Sequence, residues 1–415
     1  MPGSLSESSM PCRLRETEPI FYCMDKIILK PGREQSVERF HPWIFSGAIQ
    51  RIEGKPEEGD WVEVYAANRT FLGCGHYQKG SIMVRLFSFT AIEPDVAFWH
   101  SRLQSAFLLR QAAGLTNNPD TNVYRLVHGE GDGLPGLIVD IYGNSAVIQA
   151  HSAGVYRCRH QIAQALQMLY GQELQSIYNK SEGTLPAMEG NPVQNGYLLG
   201  DRGTGVVKEN GNQFYIDWIE GQKTGFFIDQ RENRALVSHY AKGRTVLNMF
   251  GYTGGFSVYA LRGGALHVDT VDSSKRAVEL ALKNVECNFS PDAPHTAVAE
   301  DAFTYLNALT RNYNLIILDP PAFAKHNQAV SNAMQAYKRL NAKAIKQMAP
   351  GGILFTFSCS QAISRDQFRT ALFSAAAIAG RNVRILHQLT QPADHPVNIF
   401  HPEGEYLKGL VLYVE

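Results

Sequence analysis

The chain has 415 residues, a length that predicts two or three domains of ordinary size. Apolar residues make up 44% and charged residues 19%, which excludes a disordered chain because there is enough apolar surface to bury. Lys plus Arg and Asp plus Glu both total 39, so the zero net charge argues against binding polyanions by bulk charge, although it leaves room for a local basic patch.

The six cysteines are scattered, with no Cys-x-x-Cys pair and no histidine cluster at ligand spacing. We therefore expect neither a metal site nor a disulfide framework. The scattered cysteines suit a reducing compartment. Apolar runs fall short of the roughly 18 residues that a membrane span needs. Residues 1–19 are polar, and the apolar run Ile20–Met24 is too short for an export signal. Residues 1–24 are predicted to be a flexible tail, and the expected location is the cytoplasm.

Residues 25–94 contain short strand patterns separated by Gly and Pro, such as the alternating Trp61–Tyr65, and predict a small β-barrel or sandwich. Residues 95–217 predict a small α+β unit. It has helices over 95–114 and 155–170, and a hairpin turn at 142–145 between two apolar strands.

Residues 218–415 alternate strands with helices. Strands are expected at 245–250, 267–272, 296–299, 314–319 and 353–359, and helices at 275–288, 335–348 and 365–379. Repeated β-α units predict a parallel, doubly wound sheet that binds ligands at the carboxyl ends of its strands.

The first candidate site is a glycine-rich turn after a strand, Asn248-Met-Phe-Gly-Tyr-Thr-Gly-Gly-Phe256. Glycines let the backbone approach a ligand closely. Asp272 ends the next strand, where a carboxylate can accept both hydroxyls of a ribose. The alternative is a tight structural turn with a helix-capping Asp.

Two further carboxylates end later strands. Asp301 could bind an adenine amino group or simply cap the helix over 302–309. Asp319 begins Asp-Pro-Pro-Ala-Phe323, and the two prolines stop the strand and stiffen the loop. That order favours a functional Asp at the cleft over a plain turn.

Cys359 lies in Ser-Cys-Ser at the end of the next strand, which should open onto the same cleft as Asp319. A thiol there could be a nucleophile. The alternative is a small buried residue, which is the usual place of a free cysteine.

Residues 322–347 contain five basic residues and no acid. Such a segment suits a phosphate backbone, whereas a solvated helix face is the plainer alternative. The basic residues are Lys325, Lys338, Arg339, Lys343 and Lys346.

The spacing of residues in the segment Gly221–Asn233 does not decide its role. Phe226 and Phe227 could be core or cover an adenine, and Asp229 could cap the following helix. Gln230 and Arg231 are candidates for binding a zwitterionic ligand. Two other motifs are set aside: 128–133 as a turn, and the histidine of Asp394-His-Pro396 as a surface loop residue.

Together these motifs resemble the bacterial 23S ribosomal RNA cytosine-5 methyltransferases with an N-terminal PUA domain, a family of class I S-adenosylmethionine-dependent methyltransferases. The resemblance covers nearly all of 25–415. It is carried by 41–47, 128–140, 221–234, 248–256, 319–323, Ser358-Cys-Ser360 and Glu405-Tyr-Leu-Lys-Gly-Leu410. It implies a PUA RNA-binding barrel over 25–94, an EEHEE middle domain over 95–217 and a Rossmann-like catalytic domain over 218–415.

The resemblance also implies roles for the candidate residues. The cofactor S-adenosylmethionine should be held by Asn248, by the turn Phe250, Gly251, Tyr252, Thr253, Gly254 and Gly255, and by Asp272, Asp301 and Asp319, with Gln230 and Arg231 helping to close the site. Cys359 should add to carbon 6 of cytosine, and Asp319 should lie beside the base. Lys325, Lys338, Arg339 and Lys343 are expected to bind RNA.

The expected partner is large-subunit ribosomal RNA, with no membrane, and a homodimer is left open. One departure is Ala322, at the place where many RNA cytosine-5 methyltransferases have a second cysteine that assists product release. The alternatives are methylation of a base nitrogen and a non-catalytic RNA-binding assembly factor. A nicotinamide oxidoreductase is disfavoured because the pyrophosphate fingerprint is missing.

Overall fold

The computed structural model describes residues 24–185, 192–309, 311–324 and 327–415. The predicted tail and Lys325 therefore lie outside the described residues, apart from Met24. Within the described part of the chain, no helix is both long and apolar enough to cross a membrane.

The N-terminal sheet has six strands in the order β2-β6-β5-β4-β1-β3 and is antiparallel except for the β1/β4 pair. Val62 and Val64 of the alternating strand are fully buried, as the period-2 pattern predicts. The elements are β1 (Asp25–Leu29), α1 (Gln35–Glu38), β2 (Trp43–Phe45), β3 (Ile49–Glu53), β4 (Trp61–Tyr65), β5 (Phe71–Tyr77) and β6 (Ile82–Ser88).

The middle region is a five-stranded sheet, β11-β10-β9-β8-β7, followed by the hairpin β12/β13. The predicted turn joins β8 to β9, with Gly143 at φ 62°. The predicted helix over 155–170 is instead two helices that meet at Cys158. The elements are α2 (Val96–Ala112), β7 (Val123–His128), β8 (Leu137–Tyr142), β9 (Ser145–Ala150), α3 (Ala153–Arg157), α4 (Arg159–Tyr170), β10 (Ser176–Asn179), β11 (Gly196–Leu199), β12 (Thr204–Glu209) and β13 (Asn212–Asp217).

The C-terminal sheet has seven strands in the order β16-β15-β14-β17-β18-β20-β19. Its elements are α5 (Arg231–Ala241), β14 (Thr245–Met249), α6 (Gly255–Arg262), β15 (His267–Asp272), α7 (Lys275–Glu286), β16 (His295–Ala299), α8 (Ala302–Asn307), β17 (Leu315–Leu318), α9 (Val330–Gln347), β18 (Gly352–Ser358), α10 (Arg365–Ala379), β19 (Val383–Leu389) and β20 (Lys408–Val414).

The predicted parallel sheet is present, with one antiparallel strand added to it. β14 to β18 are parallel, but β20 inserts between β18 and β19 and runs antiparallel to both. No crossover helix lies between β19 and β20, and a parallel connection needs one. The loop 390–407 that joins them lies at the carboxyl edge of the parallel strands, where the candidate residues also lie.

The hairpin β12/β13 packs on the C-terminal unit rather than on the middle sheet alone. Glu209 forms a buried ion pair with Arg234 (2.6 Å), and the Tyr215 N–H donates to Asn284 Oδ1 (2.7 Å). The boundary at 217/218 stays a prediction.

Candidate active site

The turn after β14 brings backbone close to a cavity of about 280 Å³ at the carboxyl edge of the sheet. A Cβ on Gly251 would meet Thr270 Cγ2 at 2.4 Å, so only glycine fits there. Phe250 (φ 58°) and Tyr252 (φ 44°) adopt left-handed conformations, which cost free energy in residues other than glycine. Gly254 also has a positive φ of 74°.

Asp272 faces this cavity and does not cap the following helix. It accepts hydrogen bonds from the Tyr252 N–H (3.0 Å) and the Ser274 N–H (2.9 Å), and Ser274 itself caps α7. The alternative of a helix-capping Asp at this position is therefore not what the structure shows.

Asp301 is the N-cap of α8, and its Oδ1 accepts the Thr304 N–H at 3.0 Å. It is exposed and does not line the cavity, although it follows β16 next to the strand that ends at Asp272. The plainer alternative for Asp301 is observed, and its role at adenine stays a proposal.

Asp319 and Cys359 end the adjacent parallel strands β17 and β18, and both line the cavity. Removal from water raises the pKa of Asp319 to about 7, and the nearby Asp229 carboxylate adds to this. Burial, and then the Asp319 charge, raise the pKa of the Cys359 thiol to about 11. The pair is therefore most stable as a thiol beside a carboxyl group that titrates near neutrality.

Asp229 is a cavity residue that the sequence analysis treated only as a helix cap. Its Oδ2 accepts a hydrogen bond from the Tyr406 hydroxyl (2.7 Å) and lies 3.7 Å from Lys223 Nζ. Burial alone would raise the pKa of Asp229, but Lys223, His395 and the bond from Tyr406 outweigh it and hold that pKa below its ordinary range. Its Oδ1 is buried and has no partner among the described residues. The sequence signal that could have indicated a buried, functional Asp229 is its place between the apolar run Phe226–Ile228 and Gln230.

Gln230 lines the cavity, whereas Arg231 does not. The role of Arg231 in closing the cofactor site stays a prediction, because the structure places this side chain away from the cavity lining. Its side chain is buried and pairs with Asp394 at 2.9 Å. Asn248 is also away from the cavity lining, because its Nδ2 donates to Ser257 Oγ at 2.8 Å in the core.

The expectation that His395 is a surface residue is wrong. Asp394 and His395 are at most 1% exposed. The Asp394 carboxylate accepts from the Arg125 N–H (3.0 Å) and pairs with Arg231, which ties the loop 390–407 to β7 of the middle sheet.

The structure separates most of the predicted basic patch from the cavity. α9 starts near the carboxyl edge of the sheet and runs about 27 Å towards the opposite edge. At its far end the Ala349 N–H donates to Tyr313 O, before β17 begins. Lys343 contacts Asn307 at the end of α8, so it lies towards the opposite edge. Lys338 and Arg339 lie midway along α9, and neither lines the cavity.

Comparisons with known proteins agree with this architecture. A PUA-like domain model matches residues 27–89, and an S-adenosylmethionine-dependent methyltransferase model matches 196–402. Ribosomal RNA large subunit methyltransferase I of Aeromonas salmonicida is 40% identical over 93% of this chain and 98% of its own. The protein of the same name from Yersinia pestis bv. Antiqua is 39% identical over 94% and 99%.

Two solved structures share the fold over 94% of this chain and 100% of theirs. An S-adenosylmethionine-dependent methyltransferase from Streptococcus mutans has a TM-score of 0.79 at 24% identity. The methyltransferase SMU.776, complexed with SAH, has a TM-score of 0.80 at 25% identity. The predicted PUA-like and class I methyltransferase folds, and the predicted cofactor, are confirmed. The chain belongs to the family of S-adenosylmethionine-dependent methyltransferases that includes ribosomal RNA large subunit methyltransferase I.

Proposed function

We propose that this protein methylates carbon 5 of a cytosine in large-subunit ribosomal RNA, with Cys359 as a covalent nucleophile. The observation that carries the proposal is that Asp319 and Cys359 line one cavity from adjacent strand ends, beside the glycine turn and Asp272. The relatives named for large-subunit ribosomal RNA support the substrate class.

The residues present suit S-adenosylmethionine. Asp272 suits the ribose hydroxyls, and the turn 250–255 offers close backbone approach. Asp229 lines the cavity, and its unpartnered Oδ1 is available as an acceptor for an ammonium group. Asp301 keeps its second carboxylate oxygen for the adenine amino group. When bound, the cofactor supplies an electrophilic methyl group carried on a sulfonium.

Carbon 5 of cytosine is a poor nucleophile, and Cys359 would activate it. Its thiolate forms a bond to carbon 6, which makes carbon 5 enamine-like and able to take the methyl group. A base then removes the carbon-5 proton, the bond between carbon 6 and sulfur breaks, and the thiolate is restored. This covalent route splits one difficult step into easier ones. The target cytosine must reach the cavity unpaired or flipped out of an RNA helix.

Asp319 can assist the addition because its pKa of about 7 leaves much of it protonated at neutral pH. A protonated carboxyl group can donate to N3 of the cytosine ring, which draws electron density away from carbon 6. The burial that makes the Asp319 anion costly is thus useful for this role.

Methylation at a base nitrogen is the second candidate, and one observation favours it. The pKa of Cys359 near 11 leaves little thiolate at neutral pH. Asp319 and the following prolines could instead orient an amino group, with Cys359 a bystander. A non-catalytic assembly factor is disfavoured because Asp272, Asp319 and the glycine turn form an intact cavity.

The test compares Cys359→Ala with Cys287→Ala, a second partly exposed free cysteine that does not line the cavity. Each variant is incubated with S-adenosylmethionine and large-subunit ribosomal RNA that lacks the modification, and the product nucleosides are identified by mass spectrometry. We expect 5-methylcytidine from wild type and Cys287→Ala and none from Cys359→Ala. Full carbon-5 methylation by Cys359→Ala would refute the covalent role, and a nitrogen-methylated product would establish the second candidate.

A further inference from the structure

The segment Glu405–Leu410, at the start of β20, reaches the candidate active site at two points. The Tyr406 hydroxyl donates to Asp229, and Leu407 lines the cavity. Two residues beyond Tyr406, Lys408 Nζ donates to the Ser360 carbonyl oxygen at 2.6 Å. Ser360 immediately follows Cys359, so this bond fixes the chain on the carboxyl side of the thiol.

Lys408 is a buried cation that has no carboxylate partner. It is 4% exposed, and its Nζ takes part in none of the ion pairs that the described residues form. β20 pairs with β18, and Lys408 lies opposite Ser358. A buried ammonium without a counter-charge costs free energy, so the fold retains it at a cost.

Ionised Cys359 can supply the missing negative charge. Burial lowers the pKa of Lys408 to about 8, and a charge on Cys359 opposes that fall. The other charged groups that act on Lys408 are Arg365 and Glu405. The largest charge effects on the thiol come from Asp319 and Asp229, which disfavour its ionisation, and from Lys223, a cavity-lining residue that favours it.

We propose that Lys408 is a positioning residue for the nucleophile: it anchors the Ser358–Ser360 turn through the Ser360 carbonyl and places a buried positive charge that favours the Cys359 thiolate. The proposal rests on the nucleophilic role given to Cys359 above. The Lys408 charge would offset part of the effect of Asp319 and Asp229, which disfavour ionisation of the thiol.

The experiment measures Cys359 ionisation directly and needs no RNA. Full-length protein is alkylated with iodoacetamide between pH 6 and 10, and the rate at the Cys359 peptide is followed by mass spectrometry. The variants are Lys408→Met, which keeps the length of the side chain without its charge, and Lys408→Arg, which keeps the charge. Lys346→Met, on the exposed far end of α9, is the matched control.

We expect Lys408→Met to slow alkylation of Cys359 at pH 7.5 by about tenfold or more, equivalent to a rise of about one in its pKa. Lys408→Arg should recover most of the rate, and Lys346→Met should match wild type. Equal rates for wild type and Lys408→Met would overturn the proposal, as would equal slowing by Met and Arg, which would indicate lost structure alone. If the Met variant does not bind cofactor in a calorimetric titration, the Arg variant decides: a Cys359 rate below one-tenth of wild type overturns the proposal.

Because alkylation is read without methyl transfer, its outcome is independent of the product test for Cys359→Ala. A shifted alkylation profile with a nitrogen-methylated product would retain the Lys408–Cys359 coupling and reject the covalent reaction. An unchanged alkylation profile with a 5-methylcytidine product would reject the Lys408–Cys359 coupling and retain the covalent reaction.

Discussion

Gln230 donates a hydrogen bond from Nε2 to Asp319 Oδ2 at 2.9 Å, and Asn233 Nδ2 donates to Gln230 Oε1 at 2.6 Å. Asn233 therefore fixes which end of the Gln230 amide faces the carboxyl group. The bond from Gln230 favours the charged form of Asp319 and partly offsets the burial and the Asp229 charge that raise its pKa. The relationship sets the pH at which Asp319 loses its proton.

Gln230→Leu should move the pH–activity profile. If the protonated carboxyl group of Asp319 is required, kcat/KM falls as pH rises through about 7. Loss of the hydrogen bond raises that pKa further, so the falling limb should move upward by roughly half to one pH unit. The profile is measured by methyl incorporation between pH 6 and 9, and a downward shift of the falling limb would contradict the assignment.

Asp319→Asn should abolish activity while stabilising the fold at alkaline pH. The folded-state pKa of Asp319 is raised to about 7, above its unfolded value, so its ionisation opposes folding and stability is lost as pH rises towards 7. The neutral amide avoids this loss, and we expect a gain on the order of 1–3 kcal/mol in unfolding free energy at pH 8 and little at pH 4. Urea unfolding of both proteins at both pH values measures this gain. A gain that is smaller at pH 8 than at pH 4 would count against the raised pKa of Asp319.

Asp229→Asn should weaken cofactor binding about 10- to 100-fold, because a charge-assisted hydrogen bond contributes about 1.5–3 kcal/mol. Tyr406→Phe removes only the bond to Oδ2 and should cost less than tenfold. Calorimetric titration with S-adenosylmethionine and with SAH gives both affinities. Unchanged affinity in Asp229→Asn would remove this residue from the cofactor site.

Arg231→Met should destabilise the protein without a matching loss of cofactor affinity. It leaves Asp394 buried beside His395 with one fewer cation, and breaking a buried pair of this kind costs about 3–5 kcal/mol. Thermal unfolding and cofactor titration separate the two effects. A cofactor affinity lowered more than tenfold in protein that remains folded would restore Arg231 to the cofactor site.

Asp301→Ser keeps a side chain that can cap α8 but removes the second carboxylate oxygen. We expect thermal stability close to wild type and a cofactor affinity about five- to tenfold weaker, the loss of one hydrogen bond of roughly 1 kcal/mol. Asp301→Ala should lose the cap as well, about 1 kcal/mol of unfolding free energy. Wild-type affinity in the Ser variant would leave Asp301 as a cap only.

The sequence determined the features that depend on local pattern. Alternating apolar residues predicted β4, the glycine spacing predicted the turn at 250–255, and strand-end positions placed Asp272, Asp319 and Cys359 at one edge. These features follow from strand periodicity and from the rule that parallel strands end at the same edge of a sheet.

Only the tertiary structure decided the features that depend on contacts between distant segments. The sequence does not show that Asp229 lines the cavity and binds Tyr406, that Arg231 pairs with Asp394, or that Lys408 binds the carbonyl oxygen of Ser360 beside Cys359. Each of these polar groups is buried, and a buried polar group must find a partner wherever the fold provides one. Those partners come from the antiparallel insertion of β20 and from the loop before it, which no local periodicity specifies.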